Sequence, residues 1–209
     1  MGYESPMPVQ EEVIPFLLGD DNDVIALAQT GTGKTAAFGL PILQKIDVTT
    51  YHPQALVLCP TRELCLQIAD DLNDYSKYID NLKVLPVYGG SSIESQIKTL
   101  KRGVHVVVAT PGRLLDLMNR KTVDLSLVKN VIMDEADEML NMGFTDSINA
   151  ILAEVPENRN MLLFSATMPK EIANITKKYM KNPKEIVIGN KNEGNKNIRD
   201  IYYMVQARD

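Results

Sequence analysis

From Val24 onward, short apolar runs rich in β-branched residues alternate with longer amphipathic stretches. The runs are continuously apolar, which is typical of strands buried on both faces of a parallel sheet. Seven of them predict strands over residues 24–27, 55–59, 84–88, 104–109, 131–134, 161–165 and 186–188. This order predicts an α/β domain of three layers, in which helices cover both faces of a mostly parallel sheet of seven or eight strands.

The stretches between the strands repeat apolar residues every three or four positions, as amphipathic helices do. The clearest predicted helix covers residues 62–78 and carries Leu64, Ile68, Leu72 and Tyr75 on one face. A later stretch repeats the pattern with Ile172, Ile175 and Tyr179. Pro111 and Pro169 fit the first turn of a helix, where a missing N–H is harmless.

The alternation of strands and helices continues to about residue 189 with no linker rich in Pro, Gly or Ser. We therefore predict one domain over residues 1–189. Residues 190–197 are polar, and an apolar pattern with two tyrosines resumes at Ile198. Residues 190–209 are thus interpreted as a linker that leads out of the domain, in a chain cut from something longer.

Composition narrows the class of protein. Hydrophobic residues make up 44% of the 209 residues, enough for a buried core. The net charge of -5 argues against a protein that coats nucleic acid through charge alone, so any such contact must be local. There is no apolar run of membrane-spanning length and no signal-peptide pattern, which predicts a cytoplasmic protein with no membrane association.

The cysteines and histidines indicate no special chemistry. Cys59 and Cys65 have neither metal-site nor disulfide-framework spacing and are interpreted as core thiols. His52 and His105 have no cluster of metal-ligating residues near them in the sequence, so a zinc site has little support.

A phosphate-binding loop follows the first predicted strand and precedes a helix. It comprises Ala28, Gln29, Thr30, Gly31, Thr32, Gly33, Lys34 and Thr35. The glycines allow successive N–H groups to point inward at a phosphate, and the start of the helix adds its positive end. Lys34 supplies a charge for the β- and γ-phosphates, and Thr35 supplies a hydroxyl for Mg²⁺. The loop therefore predicts a nucleotide as ligand.

A nucleotide site also needs a carboxylate for the metal and a group that orients water. Asp134 and Glu135 follow a predicted strand, which places them at the sheet edge where the phosphate loop emerges. In a chain without a phosphate loop, three acidic residues within residues 134–137 would be typical of the start of a helix. In a chain that has such a loop, they predict that Asp134 holds Mg²⁺ and that Glu135 polarises the attacking water.

Together these residues resemble the DEAD-box RNA helicases, and further motifs follow in the order of the first RecA-like domain of that family. Residues 2–10 are similar to the adenine-reading Q motif, residues 60–67 to motif Ia, Gly89-Gly90 to the paired-glycine motif, residues 110–113 to motif Ib and residues 165–167 to motif III. Cys65 replaces the usual Ala of motif Ia. Ala28 replaces the usual first Gly of the phosphate loop.

The resemblance implies a RecA-like P-loop domain that uses ATP and Mg²⁺. It implies that Gln10 reads adenine, with Tyr3 as a candidate to stack on the base, and that Lys34, Asp134 and Glu135 are catalytic. It implies contacts to the RNA backbone, independent of base sequence, from Pro60, Thr61, Arg62, Glu63, Gly89, Gly90, Thr110, Pro111, Gly112 and Arg113. Asp137, Ser165, Ala166 and Thr167 would couple nucleotide state to RNA.

The same resemblance implies a second RecA-like domain in the same polypeptide, whose arginines reach the γ-phosphate, and a monomeric protein. No arginine-rich motif of that kind follows Thr167. One other function stays open. It is an ATP-gated RNA or protein platform without strand separation, which a strand-displacement assay on the full-length protein would distinguish. A small-molecule kinase is rejected, because the sequence has no acceptor-pocket or lid signature.

Overall fold

The computed structural model describes residues 5–19, 23–29 and 33–188. Seven strands lie within these residues: β1 (Val24–Ala28), β2 (Ala55–Leu58), β3 (Val84–Val87), β4 (Val106–Ala109), β5 (Asn130–Met133), β6 (Asn160–Ser165) and β7 (Lys184–Ile188). They form one sheet in the order β3-β4-β2-β5-β6-β1-β7. Every pairing between neighbouring strands is parallel.

Eight helices are described: α1 (Pro8–Leu18), α2 (Lys34–Gln44), α3 (Arg62–Tyr75), α4 (Ile93–Lys101), α5 (Pro111–Asn119), α6 (Ala136–Asn141), α7 (Thr145–Glu154) and α8 (Lys170–Tyr179). None of the helices in the described ranges is long and apolar enough to span a bilayer.

Alternate residues of the strands β1 to β6 enter two separate cores, because side chains on a strand point to opposite faces. Val24 of β1 packs with α1, α2 and α3, whereas Ile25 packs in the core that α5, α6, α7 and α8 cover. The predicted three-layer α/β architecture with a parallel sheet is therefore confirmed.

Several predicted boundaries were wrong by one to three residues. The strands predicted over 55–59 and 84–88 end one residue earlier, at Leu58 and Val87, and β4 begins at Val106 rather than at residue 104. β5 ends at Met133, so Asp134 lies beyond the strand. The helix predicted over 62–78 ends at Tyr75, because the N–H of Ser76 closes the last turn on the carbonyl of Leu72.

His105 joins two loops beneath the amino end of β4. Its side chain is 0% exposed. Its Nδ1 accepts a hydrogen bond from the N–H of Lys83 at 3.0 Å, and its Nε2 lies 3.2 Å from the carbonyl of Val48. The proton therefore belongs on Nε2. Burial lowers the pKa of His105, aided by the nearby Lys83, while the Val48 carbonyl and Asp47 act in the opposite direction.

We expect acid to destabilise the fold through His105. Its pKa is lower in the folded chain than the value of about 6.5 in an unfolded chain, so the unfolded state binds more protons in between. The contribution of His105 to the free energy of unfolding is then fully present above about pH 6.5. It decreases as the pH drops below this value, by up to about 1.4 kcal/mol per pH unit. Urea unfolding at a series of pH values should show this slope flattened in His105→Gln. His52→Gln, at an exposed histidine outside this buried site, is the matched control; an equal effect of both variants would contradict the assignment.

Candidate functional site

The carboxyl edge of the parallel sheet collects six of the predicted site segments, because parallel strands end on the same side. Neighbours β5, β6 and β1 are followed by residues 134–137, residues 165–167 and the phosphate loop. We call these three segments the nucleotide half of the edge. Neighbours β3, β4 and β2 are followed by residues 89–90, 110–113 and 60–63. We call these the RNA half, after the ligand that the sequence predicts there.

The phosphate loop enters α2 through Gly33, which has a left-handed backbone with φ of 70°. A Cβ at this position would lie 2.7 Å from Nε2 of Gln10 and 2.8 Å from Sδ of Met7, so only Gly fits without displacement. Ala28 is the last residue of β1, and Gln29 follows it. The predicted ligands Tyr3, Thr30, Gly31 and Thr32 lie outside the described residues.

Gln10 fastens the start of α1 to the phosphate loop. Its side chain is 5% exposed. Its Oε1 accepts a hydrogen bond from the N–H of Met7 at 2.9 Å, and its Nε2 donates to the carbonyl of Gly33 at 3.2 Å. The carboxamide retains one N–H and one lone pair with which to pair with a base. The contact with Gly33 was not predicted from the sequence, because the two residues are 23 positions apart.

Lys34 and Asp134 form a buried ion pair in the nucleotide half. Lys34 Nζ lies 3.0 Å from Asp134 Oδ1, and the two side chains are 8% and 4% exposed. The same oxygen accepts a hydrogen bond from the N–H of Glu135 at 3.0 Å. Two of the three predicted catalytic residues are thus in direct contact, and the lysine neutralises the carboxylate.

Glu135 occupies a strained position directly after the buried pair. Its φ is 52°, in the left-handed region that costs a non-Gly residue energy and that occurs often at functional sites. Burial raises the pKa of its carboxyl group, and the negative charge of Asp134 adds to this effect, while Lys34 opposes it. A carboxylate made more basic in this way accepts a proton more readily.

Thr35 lies beside a carboxylate that the sequence did not indicate. Burial raises the pKa of Asp71 on α3, and the proximity of the Thr35 hydroxyl partly offsets that effect. The helical spacing of apolar residues in α3 identifies its buried face but does not show which flanking carboxylate meets the neighbouring helix.

The Thr35 hydroxyl and the Asp134 carboxylate are oxygen donors of the kind Mg²⁺ prefers, since this ion commonly takes one or two protein ligands and completes its shell with water and phosphate oxygens. In the described ranges, no three Asp, Glu, His or Cys side chains cluster closely enough to hold a metal alone. The residues present therefore fit a metal that arrives with a nucleotide better than a resident metal.

Asp137 and the segment after β6 form a hydrogen-bonded link. Asp137 Oδ2 accepts bonds from the N–H of Thr167 at 3.0 Å and from its hydroxyl at 2.8 Å. The Ser165 hydroxyl donates to the Thr167 carbonyl at 2.6 Å. Although burial acts to raise the pKa of Asp137, the hydrogen bonds from Thr167, Ser165 and the Ala166 N–H together lower it. The described geometry brings all four predicted coupling residues together.

In the RNA half, the loop after β2 is held against the loop after β3. The Thr61 hydroxyl accepts the N–H of Leu64 at 3.2 Å and so begins α3. The Arg62 guanidinium stacks over the Tyr88 ring at 5.0 Å. Gly90 has φ of 80°, and a Cβ there would lie 3.7 Å from Nη1 of Arg62. Pro60 is buried and Glu63 is exposed. A Cβ at Gly89 would have no neighbouring atom within 4 Å.

The side chain of Arg113 forms hydrogen bonds within the RNA half and so braces the loop after β3 instead of extending freely into solvent. Thr110 precedes α5, Pro111 is its first residue, and a Cβ at Gly112 would touch only Phe144, at 3.7 Å. The guanidinium of Arg113 donates from Nη1 and Nη2 to the carbonyl of Ser91 at 3.1 and 3.2 Å. Nη1 also donates to Oε1 of Gln96 at 3.0 Å.

Gln96 is a residue that the sequence reasoning missed. Its side chain is 6% exposed, and its Nε2 donates to the Tyr88 carbonyl at 3.1 Å and to the Ser91 hydroxyl at 2.8 Å. It therefore ties the paired-glycine loop to Arg113 on α5. A signal was available, since Gln96 lies between Ile93, Ile97 and Leu100 on the apolar face of an amphipathic helix.

Gln96→Ala is expected to weaken RNA binding about tenfold, because it removes three hydrogen bonds that position the loop and the arginine, each contributing about 0.5–1.5 kcal/mol. ATP binding should not change, since this brace lies in the other half of the edge. Fluorescence anisotropy with labelled RNA and calorimetry with ATP measure the two affinities. Gln44→Ala, at an exposed glutamine that ends α2, is the matched control. RNA affinity that matches this control would show that Gln96 has no positioning role.

Both cysteines are buried free thiols, as predicted. Cys65 Sγ lies 3.1 Å from the carbonyl of Val108 and packs beneath β4. Its contact with Cys59, together with burial, raises the pKa of the Cys59 thiol. The replacement of Ala by Cys in motif Ia is therefore accommodated in the core.

Comparison with known proteins gives consistent similarities. The family model described as DEAD/DEAH box helicase matches residues 7–175. The ATP-dependent RNA helicase DeaD of Mycobacterium tuberculosis (strain CDC 1551 / Oshkosh) is 51% identical over 208 residues, which are 100% of this chain and 37% of that protein. The protein of the same name from Escherichia coli (strain K12) is 47% identical over 205 residues, 98% of this chain and 32% of that protein. The chain thus spans about a third of the length of these relatives.

Two solved structures share the fold. The DEAD box protein from the hyperthermophile Methanococcus jannaschii superposes with a TM-score of 0.83 at 46% identity, covering 87% of this chain and 49% of that one. A hypothetical ATP-dependent RNA helicase from Sulfolobus tokodaii gives a TM-score of 0.81 at 44% identity, covering 90% of this chain and 54% of that one.

Proposed function

The chain belongs to the DEAD/DEAH box helicase family, and from this premise we propose that it is the ATP-binding RecA-like domain of an ATP-dependent RNA helicase. In this proposal, residues 1–189 form the domain and residues 190–209 lead to a second RecA-like domain of the same polypeptide. The whole protein couples ATP binding and hydrolysis to RNA backbone binding, independent of base sequence, and to local duplex unwinding. It acts as a cytoplasmic monomer.

The observation that carries the proposal is the division of one sheet edge into two halves. The segments predicted to bind nucleotide follow three adjacent strands, and those predicted to bind RNA follow the three strands beside them. β5 and β2 are direct neighbours at the junction, where the N–H of Asp134 donates to the carbonyl of Leu58 at 2.9 Å. A change in the nucleotide half therefore lies one strand away from the residues proposed to bind RNA.

Within the nucleotide half, each residue has a distinct task. Gln10 pairs with the adenine edge and at the same time holds Gly33, so base recognition and loop geometry are connected. Lys34 exchanges its bond with Asp134 for contacts to the β- and γ-phosphates, and Asp134 then becomes available to a metal. Thr35 and Asp134 would hold Mg²⁺, which neutralises phosphate charge when bound. Glu135, with its raised pKa, orients the attacking water and accepts its proton.

In the RNA half, N–H groups at helix starts and the Arg62 guanidinium suit phosphate oxygens and carry no base information. Asp137, Ser165, Ala166 and Thr167 would transmit nucleotide state toward this half and toward the second domain. Their support is that Thr167, which follows β6, is bonded to Asp137 at the start of α6. A shift of either segment on nucleotide binding would therefore also displace the other segment.

Gln10→Ala tests the nucleotide assignment. We expect the variant to lose discrimination between ATP and GTP worth about 1–3 kcal/mol, because the amide is complementary to the adenine edge and not to guanine. Both nucleotides should lose some affinity as well, since the bond to Gly33 is lost. Calorimetry with each nucleotide measures the effect. An equal loss for both would assign Gln10 to loop structure alone.

Strand displacement by a longer polypeptide with the second domain, driven by ATP but not GTP, tests the function as a whole.

A further inference from the structure

A polar cavity of about 430 Å³ opens at the amino edge of the sheet, opposite the proposed nucleotide and RNA halves. We call it the amino-edge pocket. It is lined by Lys45, Ile46, Gln54, Lys129, Asn130, Asn158, Arg159 and Asn160. Lys129 and Arg159 directly precede β5 and β6, which are neighbours, and Lys45 follows α2. Strands of four to six residues separate it from the carboxyl edge by roughly 15–20 Å.

The charge of the amino-edge pocket is positive. Three of its lining residues are cationic and none of the lining residues described is acidic. Within the described part of the chain, neither Lys45, Lys129 nor Arg159 forms an ion pair. By contrast, Asp134, Glu135, Asp137 and Glu138 crowd the nucleotide half of the opposite edge. A chain with a net charge of -5 therefore presents a local cationic surface on the side away from these acids.

Hydrogen bonds between backbone groups tie the floor of the pocket together, so the backbone positions from which Lys129 and Arg159 extend are fixed relative to each other. The carbonyl of Gln54 accepts the N–H of Lys129 at 2.9 Å, and the carbonyl of Lys129 accepts the N–H of Asn160 at 2.8 Å. The Arg159 guanidinium is fixed by donation from Nη1 to the carbonyls of Val155 and Pro156 at 3.1 and 2.7 Å. Among the described residues, the buried Nε of Arg159 has no partner.

Neutral donors accompany the charges. Asn130 is 9% exposed and lines the cavity, and its carboxamide forms no hydrogen bond with any described residue. Arg159 also borders a second cavity of about 350 Å³, which is lined in part by Lys178 and Lys181 and by the acidic Glu157, so cationic groups outnumber acidic ones there as well. The nearby Asp23 carboxylate offsets part of this charge, but it is buried and accepts the N–H groups of Met161 and Lys181.

We propose that the amino-edge pocket binds backbone phosphates of an RNA strand that extends beyond the RNA half. This rests on the proposed function. Ammonium, guanidinium and carboxamide donors match phosphate oxygens, and three cations with no acid among the described lining residues favour a polyanion over a mixed-charge protein surface. The pocket thereby adds a second, sequence-independent contact that lengthens the footprint on RNA and leaves the nucleotide site untouched.

The test compares RNA strands of two lengths on the 209-residue chain. Labelled oligouridines of roughly 6 and roughly 20 nucleotides, within and beyond a typical single-strand site, are titrated by anisotropy over a salt series. The double variant Lys45→Gln/Lys129→Gln removes two exposed charges. For the longer strand we expect about tenfold weaker binding and a salt slope shallower by about 1.4, since each single-strand phosphate contributes about 0.7. The shorter strand and ATP should bind as before.

Lys77→Gln/Lys101→Gln is the matched control, because it makes the same change of net charge at exposed lysines outside the pocket. If both double variants bind the longer strand alike, the pocket does not contact RNA. If the Lys45/Lys129 variant loses binding of polyglutamate but not of RNA, the pocket takes an acidic peptide and the proposal is wrong. Failure of the unaltered chain to bind either oligouridine would instead overturn the proposed function.

Discussion

Replacing Lys34 by Met is expected to weaken ATP binding roughly 100-fold and to destabilise the fold by about 3–5 kcal/mol. The first effect follows from the loss of the charge proposed to meet the β- and γ-phosphates. The second follows from burial, since the Lys34 and Asp134 side chains are 8% and 4% exposed and the variant leaves the carboxylate without its counter-charge. Calorimetry with ATP and urea unfolding measure the two effects separately.

The double variant Lys34→Met/Asp134→Asn separates binding from stability. Removal of both charges of a buried pair is often nearly neutral, whereas removal of one is not. The amide can still accept the N–H of Glu135, which bonds Asp134 Oδ1 at 3.0 Å. We therefore expect the double variant to regain most of the unfolding free energy and none of the ATP affinity. If Lys34→Met alone lowers the free energy of unfolding by less than about 1 kcal/mol, solvent screens the ion pair.

ATP turnover by the 209-residue polypeptide is expected to be slow. It should be on the order of 10³-fold slower than when the chain is joined to the proposed second RecA-like domain, because arginines that stabilise the transferring phosphoryl contribute at least this factor. In the described structure, Lys34 is the cation of the nucleotide half, while Arg62 and Arg113 contact Tyr88 and Ser91 in the RNA half. Phosphate release with and without RNA measures the rates.

Glu135→Gln is the control for this comparison. In the joined polypeptide it should lower the hydrolysis rate by about 100-fold or more, because the amide cannot accept the proton of the attacking water, while ATP affinity stays unchanged. Brisk RNA-stimulated hydrolysis by the 209 residues alone would contradict the need for the second domain. Unchanged hydrolysis in Glu135→Gln would assign proton transfer to another group.

Most of the fold, and the place in it of many candidate site residues, were predictable from the sequence because their signals are local. A strand buried on both faces reads as a continuous apolar run, and each predicted strand is present, with an end displaced by no more than two residues. The phosphate loop is a contiguous segment between β1 and α2. Strand ends were less predictable because Cys59, Tyr88 and Asp134 lie where the chain leaves the ladder, and apolar character alone does not mark that point.

Residues that act through distant partners could not be predicted in the same way. Gln96 bonds Arg113 across 17 positions, and Gln10 bonds Gly33 across 23. Each looks like an ordinary polar residue of a helix, and the polar group that it meets is fixed only when the two elements pack. The proximity of Thr35 to Asp71 has the same character, since it depends on how α2 lies against α3.

By itself, the sequence determined the α/β architecture, the phosphate loop, the carboxylates that follow β5 and the family to which these motifs belong, because contiguous residues encode strand periodicity, turn chemistry and motif spacing. Only the tertiary structure decided that Lys34 neutralises Asp134 across 100 positions, that Arg113 is a brace, and that Lys45, Lys129 and Arg159 share one pocket. The reason is strand order: β2, β5 and β6 are neighbours in the sheet but far apart in the chain, so the groups at their ends meet only after the sheet has formed.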